Sequence, residues 1–429
     1  MHEQATATVG SKPLRGTVSA PPSKSAMHRA LIAAALSGSR VRITPHWDSQ
    51  DILATLDALA ALGGRVEKTA DAILLDAAAL GQPRQAVLRC RESGSTLRFL
   101  IPVAAALGVS ARFEGAGRLP QRPLADYRRL LPEHGVRVSA GEGLPLSIEG
   151  RLRPGRYAIG GDVSSQYITG LLFALPLLDG DSEIVLTTPL ESKGYIDLTL
   201  DLLRAFGVQA RETATGYMVP GRQRYCAPAA EYRVEGDWSQ AAFFLCAGAL
   251  GGDVRVTGLL PDSRQGDRAV AEILRRLGAS VTVSAGEVRV RPGLLRGCGI
   301  DASQIPDLVP ALAVVCAAAE GVSEITGAAR LRLKESDRLA AMAENLRRCG
   351  VEVEEGPDRL RIVGRPRFLG GERLGFNDHR IVMAMSVAAL RGQDPFIIRG
   401  AESIEKSYPG FFEDFTSLGG QAHVVCLGE

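Results

Sequence analysis

The sequence predicts an α/β protein built from six copies of one unit of about 70 residues, grouped three and three into two similar domains. Two periodic markers and the character of the helices carry that prediction. A helix end, a glycine and a strand recur with the glycine at positions 63, 135, 207, 278, 350 and 419, spaced 72, 72, 71, 72 and 69 residues apart. An apolar helix closed by glycine at 38, 108, 180, 251, 321 and 392 recurs in phase, at spacings of 70, 72, 71, 70 and 71. Units of this size are too large for solenoid turns and too small to stand alone, so three are expected to share one core.

Each unit holds two helices. The first is apolar nearly all round and is expected to be buried; the second, such as 51–62 or 338–348, is amphipathic and covers a surface. The marker glycine after the second helix fits a C′ position, where the chain turns left-handed before a strand. Strands such as "AILLD", "VRVRP" and "RLRIVG" follow after short turns. The boundary between units three and four falls near Arg233 to Asp237.

Composition sets limits. The chain has 429 residues, 45% hydrophobic, with a net charge of +2 and 5% aromatics, so neither a basic stripe nor stacking platforms point to nucleic acid. The apolar stretch 308–319 is too short to span a bilayer, and residues 1–10 lack a basic region followed by an apolar one; a cytoplasmic protein is expected. The seven scattered cysteines include no C-x-x-C pair, which argues against disulfides or zinc and for reduced thiols acting mainly as small core residues. Only six of the 50 cations are lysines (Lys12, Lys24, Lys68, Lys193, Lys334, Lys406), so some are expected to be kept for chemistry.

The six apolar helices begin with polar residues: Ser23-Lys24-Ser25, Glu92-Ser93-Gly94-Ser95, Ser164-Ser165-Gln166, Asp237-Trp238-Ser239, Asp307, and Asn377-Asp378-His379-Arg380. Taken singly, Asp237 and Asp307 read as N-caps, Glu335 as part of a solvated or capping helix start, and His379 as a satisfied helix-start histidine that orients others. Capping does not call for Lys24, Arg29, Arg98 or Arg380 so close to apolar helix starts. Helix N-termini gathered at one end make an anion site, which these cations together with Arg122, Arg338 and Lys406 reinforce. The expected ligand is small, carries several negative charges and is bound without metal. No zincin, P-loop or dinucleotide-binding motif appears.

These motifs, from "PPSKSAMHRALIAAAL" (21–36) through "GDVSSQYITGLL", "LRLKESDRLAAM" and "FNDHRIVMAM" to "IEKSYPGFFEDF" (404–415), resemble the 5-enolpyruvylshikimate-3-phosphate synthase family over almost the whole chain. The resemblance implies two domains of three βαβαββ units each, an inside-out α/β barrel arrangement with the active site in the cleft between them. It implies domains at 22–233 and at 1–21 plus 234–429, with crossovers near 20–23 and 233–236. The reaction implied is transfer of the enolpyruvyl group of phosphoenolpyruvate to shikimate 3-phosphate, with no cofactor, by a monomer with no nucleic-acid or membrane partner. By the same resemblance Lys24, Ser25, Arg29, Ser164, Ser165, Gln166, Ser192, Tyr195, Asp307 and Lys334 would meet shikimate 3-phosphate. Lys24, Gly94, Arg122, Gln166, Arg338, Arg380 and Lys406 would meet phosphoenolpyruvate.

Enolpyruvyl transfer by addition and elimination needs a base for the hydroxyl and an acid for the methylene carbon. Asp307 is expected as the base, Glu335 or Lys24 as the acid, and Arg122, Arg380 and Lys406 as the holders of charge at the ketal centre. Four positions depart from the family pattern: His28 for a usual Asn, Glu92 for an Asn, Arg330 for a substrate-contacting Asn, and Phe99 for a frequent Pro, a site that bears on the fit of the analogue glyphosate. The sister enzyme that uses UDP-N-acetylglucosamine typically has a cysteine in its mobile loop; here the loop 117–123 has none.

Overall fold

Among the described residues, twelve α-helices alternate between inner and outer positions: α1 (Lys24–Leu36), α2 (Gln50–Ala61), α3 (Gly94–Leu107), α4 (Ala125–Glu133), α5 (Ser165–Ala174), α6 (Lys193–Ala205), α7 (Trp238–Ala249), α8 (Val270–Arg276), α9 (Val309–Ala318), α10 (Arg338–Arg348), α11 (His379–Ala388) and α12 (Phe411–Ser417). The computed structural model describes residues 4–228 and 231–427. Odd-numbered helices are the apolar ones. Nearly every residue of α3, α7, α9 and α11 is inaccessible, because a helix that is apolar all round has no face to offer water. Each Leu, Ile, Val or Phe so buried contributes about 1.5–3 kcal/mol relative to exposure. Among the described residues no helix is long and apolar enough to cross a membrane.

The strands of the described residues form six four-stranded sheets of one pattern. In the second repeat, Gln85–Arg89 runs parallel to Ser110–Glu114, which pairs antiparallel with Leu146–Gly150, which pairs antiparallel with Val136–Val138. That is strand, inner helix, strand, outer helix and two strands, the expected βαβαββ order. The marker glycines 63, 135, 207, 278, 350 and 419 all have positive φ, between 76° and 104°. Each stands at C′ of an outer helix, where a side chain would be strained. The second marker is less uniform. Gly38, Gly108, Gly251 and Gly321 are left-handed, whereas α5 and α11 run out through 3-10 turns, Leu175–Leu177 and Ala389–Arg391, before their glycines.

The chain divides into two compact units, Pro22–Val234 and Met1–Pro21 with Glu235–Glu429. In the first, α1, α3 and α5 form the core with three sheets around them. Its first repeat lacks a leading strand of its own, and Glu231–Arg233 fills the place, parallel to Arg40–Thr44. In the second unit α7, α9 and α11 form the core, and the N-terminus completes two sheets. Arg15–Ser19 lies parallel to Asp253–Thr257, and Gln4–Val9 lies between Phe396–Arg399 and Ala422–Leu427.

Two expectations from composition need correction. Cys90, Cys246, Cys316 and Cys349 are buried core residues, but Cys226 and Cys426 are exposed and Cys298 is half-buried. Of the scarce lysines, Lys68 and Lys193 make surface ion pairs with Asp48, and with Asp197 and Glu212, so scarcity alone did not mark a chemical role.

Candidate active site

In the unit 22–234, Ser23, Ser93 and Ser164 cap α1, α3 and α5, accepting from the N–H groups of Ala26, Thr96 and Gln166. The side chains just inside those caps form two hydrogen-bonded groups, one around Arg29 and one around Arg98. Arg29 is buried and donates from Nε to Thr199 Oγ1 (2.8 Å) and from its terminal nitrogens to the Ser25 carbonyl (2.8 Å), the Tyr195 carbonyl (3.0 Å) and Thr169 Oγ1 (3.3 Å). Burial lowers its pKa to about 10, still charged at neutral pH. Arg98 donates to Gln166 Oε1 (2.8 Å) and the Pro123 carbonyl, and Gln166 Nε2 donates to Ser95 Oγ (3.0 Å). Ser165 lies in the first turn of α5, and Ser192, with φ of 55°, begins α6 ahead of Tyr195. Lys24 is the exception to this pattern of neutral partners: its Nζ donates to Asp51 Oδ2 at 2.7 Å.

Gly94 opens α3 beneath the Arg122 guanidinium. A Cβ there would stand 2.7 Å from Arg122 Nη1 and 3.0 Å from Cζ, so the absence of a side chain lets the guanidinium approach the helix start. His28, the departure on α1, faces Thr55 of α2, its Nδ1 2.7 Å from Thr55 Oγ1. Thr55 Oγ1 lies 2.7 Å from Thr96 Oγ1, and Thr96 donates onward to Ser93 Oγ (2.8 Å). Burial, then the charges of Lys24 and Arg29, hold the His28 pKa well below its ordinary value, so it is neutral.

In the other unit the helix starts are built differently. Asp237 caps α7, accepting from Gln240 N–H, as expected. Asp307 does not cap. It sits in a 3-10 turn, Pro306–Leu308, whose N-cap residue is Ile305, and its side chain is turned to cations instead. Arg338 Nη1 donates to Asp307 Oδ1 at 2.8 Å, Lys334 Nζ lies 3.5 Å from the same oxygen, and Arg380 Nη2 lies 3.6 Å from Oδ2. Arg380 also donates to the Asp307 carbonyl at 3.0 Å. Glu335 is likewise no cap, since Asp337 caps α10; Glu335 accepts from Arg338 Nη2 at 2.8 Å.

Arg338, 1% exposed, is the hub. Its Nε donates to Asp378 Oδ2 (2.8 Å), and Ser336 Oγ donates to the same oxygen. Burial opposes its charge, but Asp378, Glu335 and Asp307 outweigh burial and raise its pKa. Lys334 shows the reverse balance. Burial pulls it down to about 8, with Arg338 and Arg330 adding to the fall and Asp307 and Glu335 only partly restoring it. Asp378 also caps α11 through Arg380 N–H, and His379 Nδ1 stands 3.8 Å from Asp378 Oδ1. Lys406 Nζ donates to the Asn377 carbonyl at 2.6 Å, holding a stretch in which Phe376 and Asn377 both have φ of 52°.

Lys24, Ser25, Arg29, Gly94, Arg122, Ser164, Ser165, Gln166, Ser192 and Tyr195 thus belong to one unit, and Asp307, Lys334, Glu335, Arg338, Arg380 and Lys406 to the other. Sequence reasoning missed Asp51, the partner of Lys24, and Thr169 and Thr199, the partners of Arg29. It saw Asp378 only as a cap. Asp51 is a helix-start acid 27 residues from Lys24, and no spacing rule links the two. An aspartate preceding His-Arg at an apolar helix start was the one available signal for Asp378.

The EPSP synthase (3-phosphoshikimate 1-carboxyvinyltransferase) family profile matches residues 8–415. A protein of Clostridium kluyveri named 3-phosphoshikimate 1-carboxyvinyltransferase is 44% identical over 418 residues, covering 97% of this chain and 98% of its own. The protein of the same name from Clostridium acetobutylicum is 43% identical over 422 residues, with the same coverage. Among solved structures, an EPSP synthase from Acinetobacter baumannii matches with a TM-score of 0.82 at 28% identity, over 98% of this chain and all of that one. The enolpyruvyl transferase NikO from Streptomyces tendae shares the fold, with a TM-score of 0.78 at 21% identity over 99% of this chain and 100% of that one. With residues 8–415 matched by the family profile, and 97% of its length covered by a relative 44% identical, the chain belongs to the EPSP synthase family.

Proposed function

We propose that the reaction of this family, transfer of the enolpyruvyl group of phosphoenolpyruvate to the 5-hydroxyl of shikimate 3-phosphate with release of phosphate, is carried out here with Asp307 as base. The reading is supported above all by Asp307 itself: a carboxylate that caps nothing, held by Arg338 and approached by Lys334 and Arg380 within 3.6 Å. Those cations keep the carboxylate ionised and fix its position, the two conditions a base must meet before it can receive a proton.

Asp307 draws the proton from the 5-hydroxyl as its oxygen adds to C2 of phosphoenolpyruvate, and Glu335 or Lys24 delivers a proton to C3. The tetrahedral adduct then loses a proton from C3 and phosphate from C2. Arg122, Arg380 and Lys406 hold carboxylate and phosphate and stabilise charge as the C–O bond breaks. Lys24, Gly94, Gln166 and Arg338 complete the phosphoenolpyruvate contacts. Ser25, Arg29, Ser164, Ser165, Gln166, Ser192, Tyr195 and Lys334 hold shikimate 3-phosphate together with Lys24 and Asp307. The protein acts as a cytoplasmic monomer and needs no metal.

The test is phosphate release from metal-stripped protein given phosphoenolpyruvate with shikimate 3-phosphate, beside a UDP-N-acetylglucosamine control. Release with shikimate 3-phosphate alone is expected. Release only with the nucleotide sugar would move the chain to the sister activity. In the same assay Asp307→Ala is expected to lower turnover by about 10²–10⁴-fold, the usual worth of a positioned base, with far less effect on affinity. Unchanged turnover would refute the role.

A further inference from the structure

One buried acid near Asp307 has no part in the reaction described so far. Asp267 lies in a 3-10 turn, Gly266–Ala269, and is 1% exposed. Its Oδ2 accepts a hydrogen bond from Ser239 Oγ on the first turn of α7. The segment before it is fastened to the same helix start: Gln265 Oε1 accepts from Trp238 N–H at 3.0 Å, and Gln265 Nε2 donates to the Gly236 carbonyl at 2.8 Å. The residue before it, Gly266, packs on the segment 304–305 that leads into Asp307. A Cβ on Gly266 would stand 3.1 Å from the Gln304 carbonyl. Asp267 is therefore held between α7 and the Asp307 turn by elements that leave it little freedom.

The charged groups around it are Asp307, Arg380 of α11 and Asp237 of α7. Arg268, next in the same turn, donates to the Pro261 carbonyl, and Glu235, ahead of α7, is bonded to Ser263 and Gln265. Burial first, then the charge of Asp307, push the Asp267 carboxyl up to about 6, against the pull of Arg380 and Ser239. Two carboxylates that interact across such a site titrate as a pair.

We propose that Asp267 is a positioning residue for the transfer reaction, a second carboxylate, held by Ser239 in the turn packed on the segment before Asp307, whose negative charge keeps Asp307 a competent base. The inference rests on the reading of Asp307 as the base. The active form has both carboxylates ionised, so turnover falls on the acid side as the pair takes up its first proton.

The test is the pH dependence of turnover at saturating substrates for Asp267→Asn and Ser239→Ala, with Asp307→Ala alongside. Asp267→Asn removes the neighbouring negative charge; the acid limb is expected to move about one unit lower, with a plateau reduced roughly three- to tenfold. Ser239→Ala keeps the carboxylate but removes a bond to its ionised form, so its limb is expected to move higher. Shifts in opposite directions support the inference, because a merely structural role would lower turnover without moving the limb. A limb that stays put in Asp267→Asn overturns it. If that variant does not fold, an unmoved or lowered limb in Ser239→Ala overturns it instead. Full turnover in Asp307→Ala would sink the base assignment itself, whereas an inactive Asp307→Ala beside an unmoved Asp267→Asn limb would sink only the role of Asp267.

Discussion

The two units share a fold pattern but hold the buried arginines at their inner-helix starts in opposite ways, while Lys24 with Asp51 and Lys406 with the Asn377 carbonyl run against the trend of their own units. In the unit 22–234, Arg29 and Arg98 are bound by hydroxyls, an amide and backbone carbonyls, which fix geometry and leave the positive charge uncancelled. In the other unit Arg338 is bound by Asp307, Glu335 and Asp378, and Arg380 and Lys334 lie beside Asp307, so cation and carboxylate offset one another. The first arrangement suits the anion binding proposed for it. The second costs more desolvation to build and, in return, sets carboxylates in fixed positions for proton transfer. One repeat thus carries arginines held by neutral partners in one unit and arginines held by carboxylates in the other.

The sharpest way to break that comparison is to remove the cation from each side. Arg338→Met would leave the buried Asp378 carboxylate, and the half-buried Asp307 and Glu335, without their shared guanidinium, and a loss of about 3–5 kcal/mol in unfolding free energy is expected. Arg29→Met removes only neutral hydrogen bonds, and Thr169 and Thr199 keep each other at 3.2 Å, so about 1–2 kcal/mol is expected. Urea titrations of both variants measure the difference. Equal losses would mean that the two kinds of environment do not differ in the way drawn here.

Lys334 gives the next largest effect, and it is read by pH. Burial lowers its pKa to about 8, so in the free protein it loses its charge as pH rises through that value. An anionic ligand favours the charged form. The KM for shikimate 3-phosphate is therefore expected to be flat below pH 8 and to rise up to about tenfold per unit above it. In Lys334→Arg, which stays charged, the rise is expected to vanish even though the value at pH 7 is poorer. A flat profile to pH 9.5 in the unaltered protein would remove Lys334 from the binding role.

Gly94→Ala probes the cradle. The new Cβ would lie 2.7 Å from Arg122 Nη1, closer than real contacts allow, but the obstacle is the far end of a flexible side chain. Arg122 can yield, so folding stability is expected to be nearly unchanged. The KM for phosphoenolpyruvate is expected to rise about tenfold, on the order of 1.4 kcal/mol, as the guanidinium loses its place. A stability loss without a change in KM would show that Gly94 serves packing alone.

Much of this was legible in the residues. Glycine spacing fixed six repeats because a left-handed C′ residue is a local requirement that sequence states directly, and all six glycines have that conformation. The inner helices were legible for a similar reason, since all-round apolarity leaves one environment. Partnerships across elements were not. Lys24 with Asp51, Arg29 with Thr199 and Arg338 with Asp378 join residues 27, 170 and 40 positions apart, and no local pattern encodes them. Nor did sequence disclose the left-handed, non-glycine backbone at Arg91, Ser192, Phe376 and Asn377, beside the starts of α3, α6 and α11. Such conformations cost free energy locally and persist because the surroundings hold them, which a string of residues cannot state.

The smallest expected effect lies in the His28 chain, and it sharpens the comparison because every group in it is neutral. Thr96 donates its hydroxyl proton onward to Ser93, so it can only accept from Thr55. Thr55, having donated to Thr96, must accept from His28, which places the proton of the neutral ring on Nδ1. The order of donors runs from α1 through α2 to the cap of α3, next to Gly94. Thr55→Val keeps the shape and breaks both bonds of the middle hydroxyl, with an expected loss of about 1 kcal/mol in unfolding free energy. Because burial and the charges of Lys24 and Arg29 keep His28 neutral, that loss is expected to be the same at pH 6 and pH 8 in paired urea titrations. A loss present at pH 8 and absent at pH 6 would mean that His28 charges in the folded protein, and the contrast between a neutral scaffold in one unit and a charged one in the other would fail at this point.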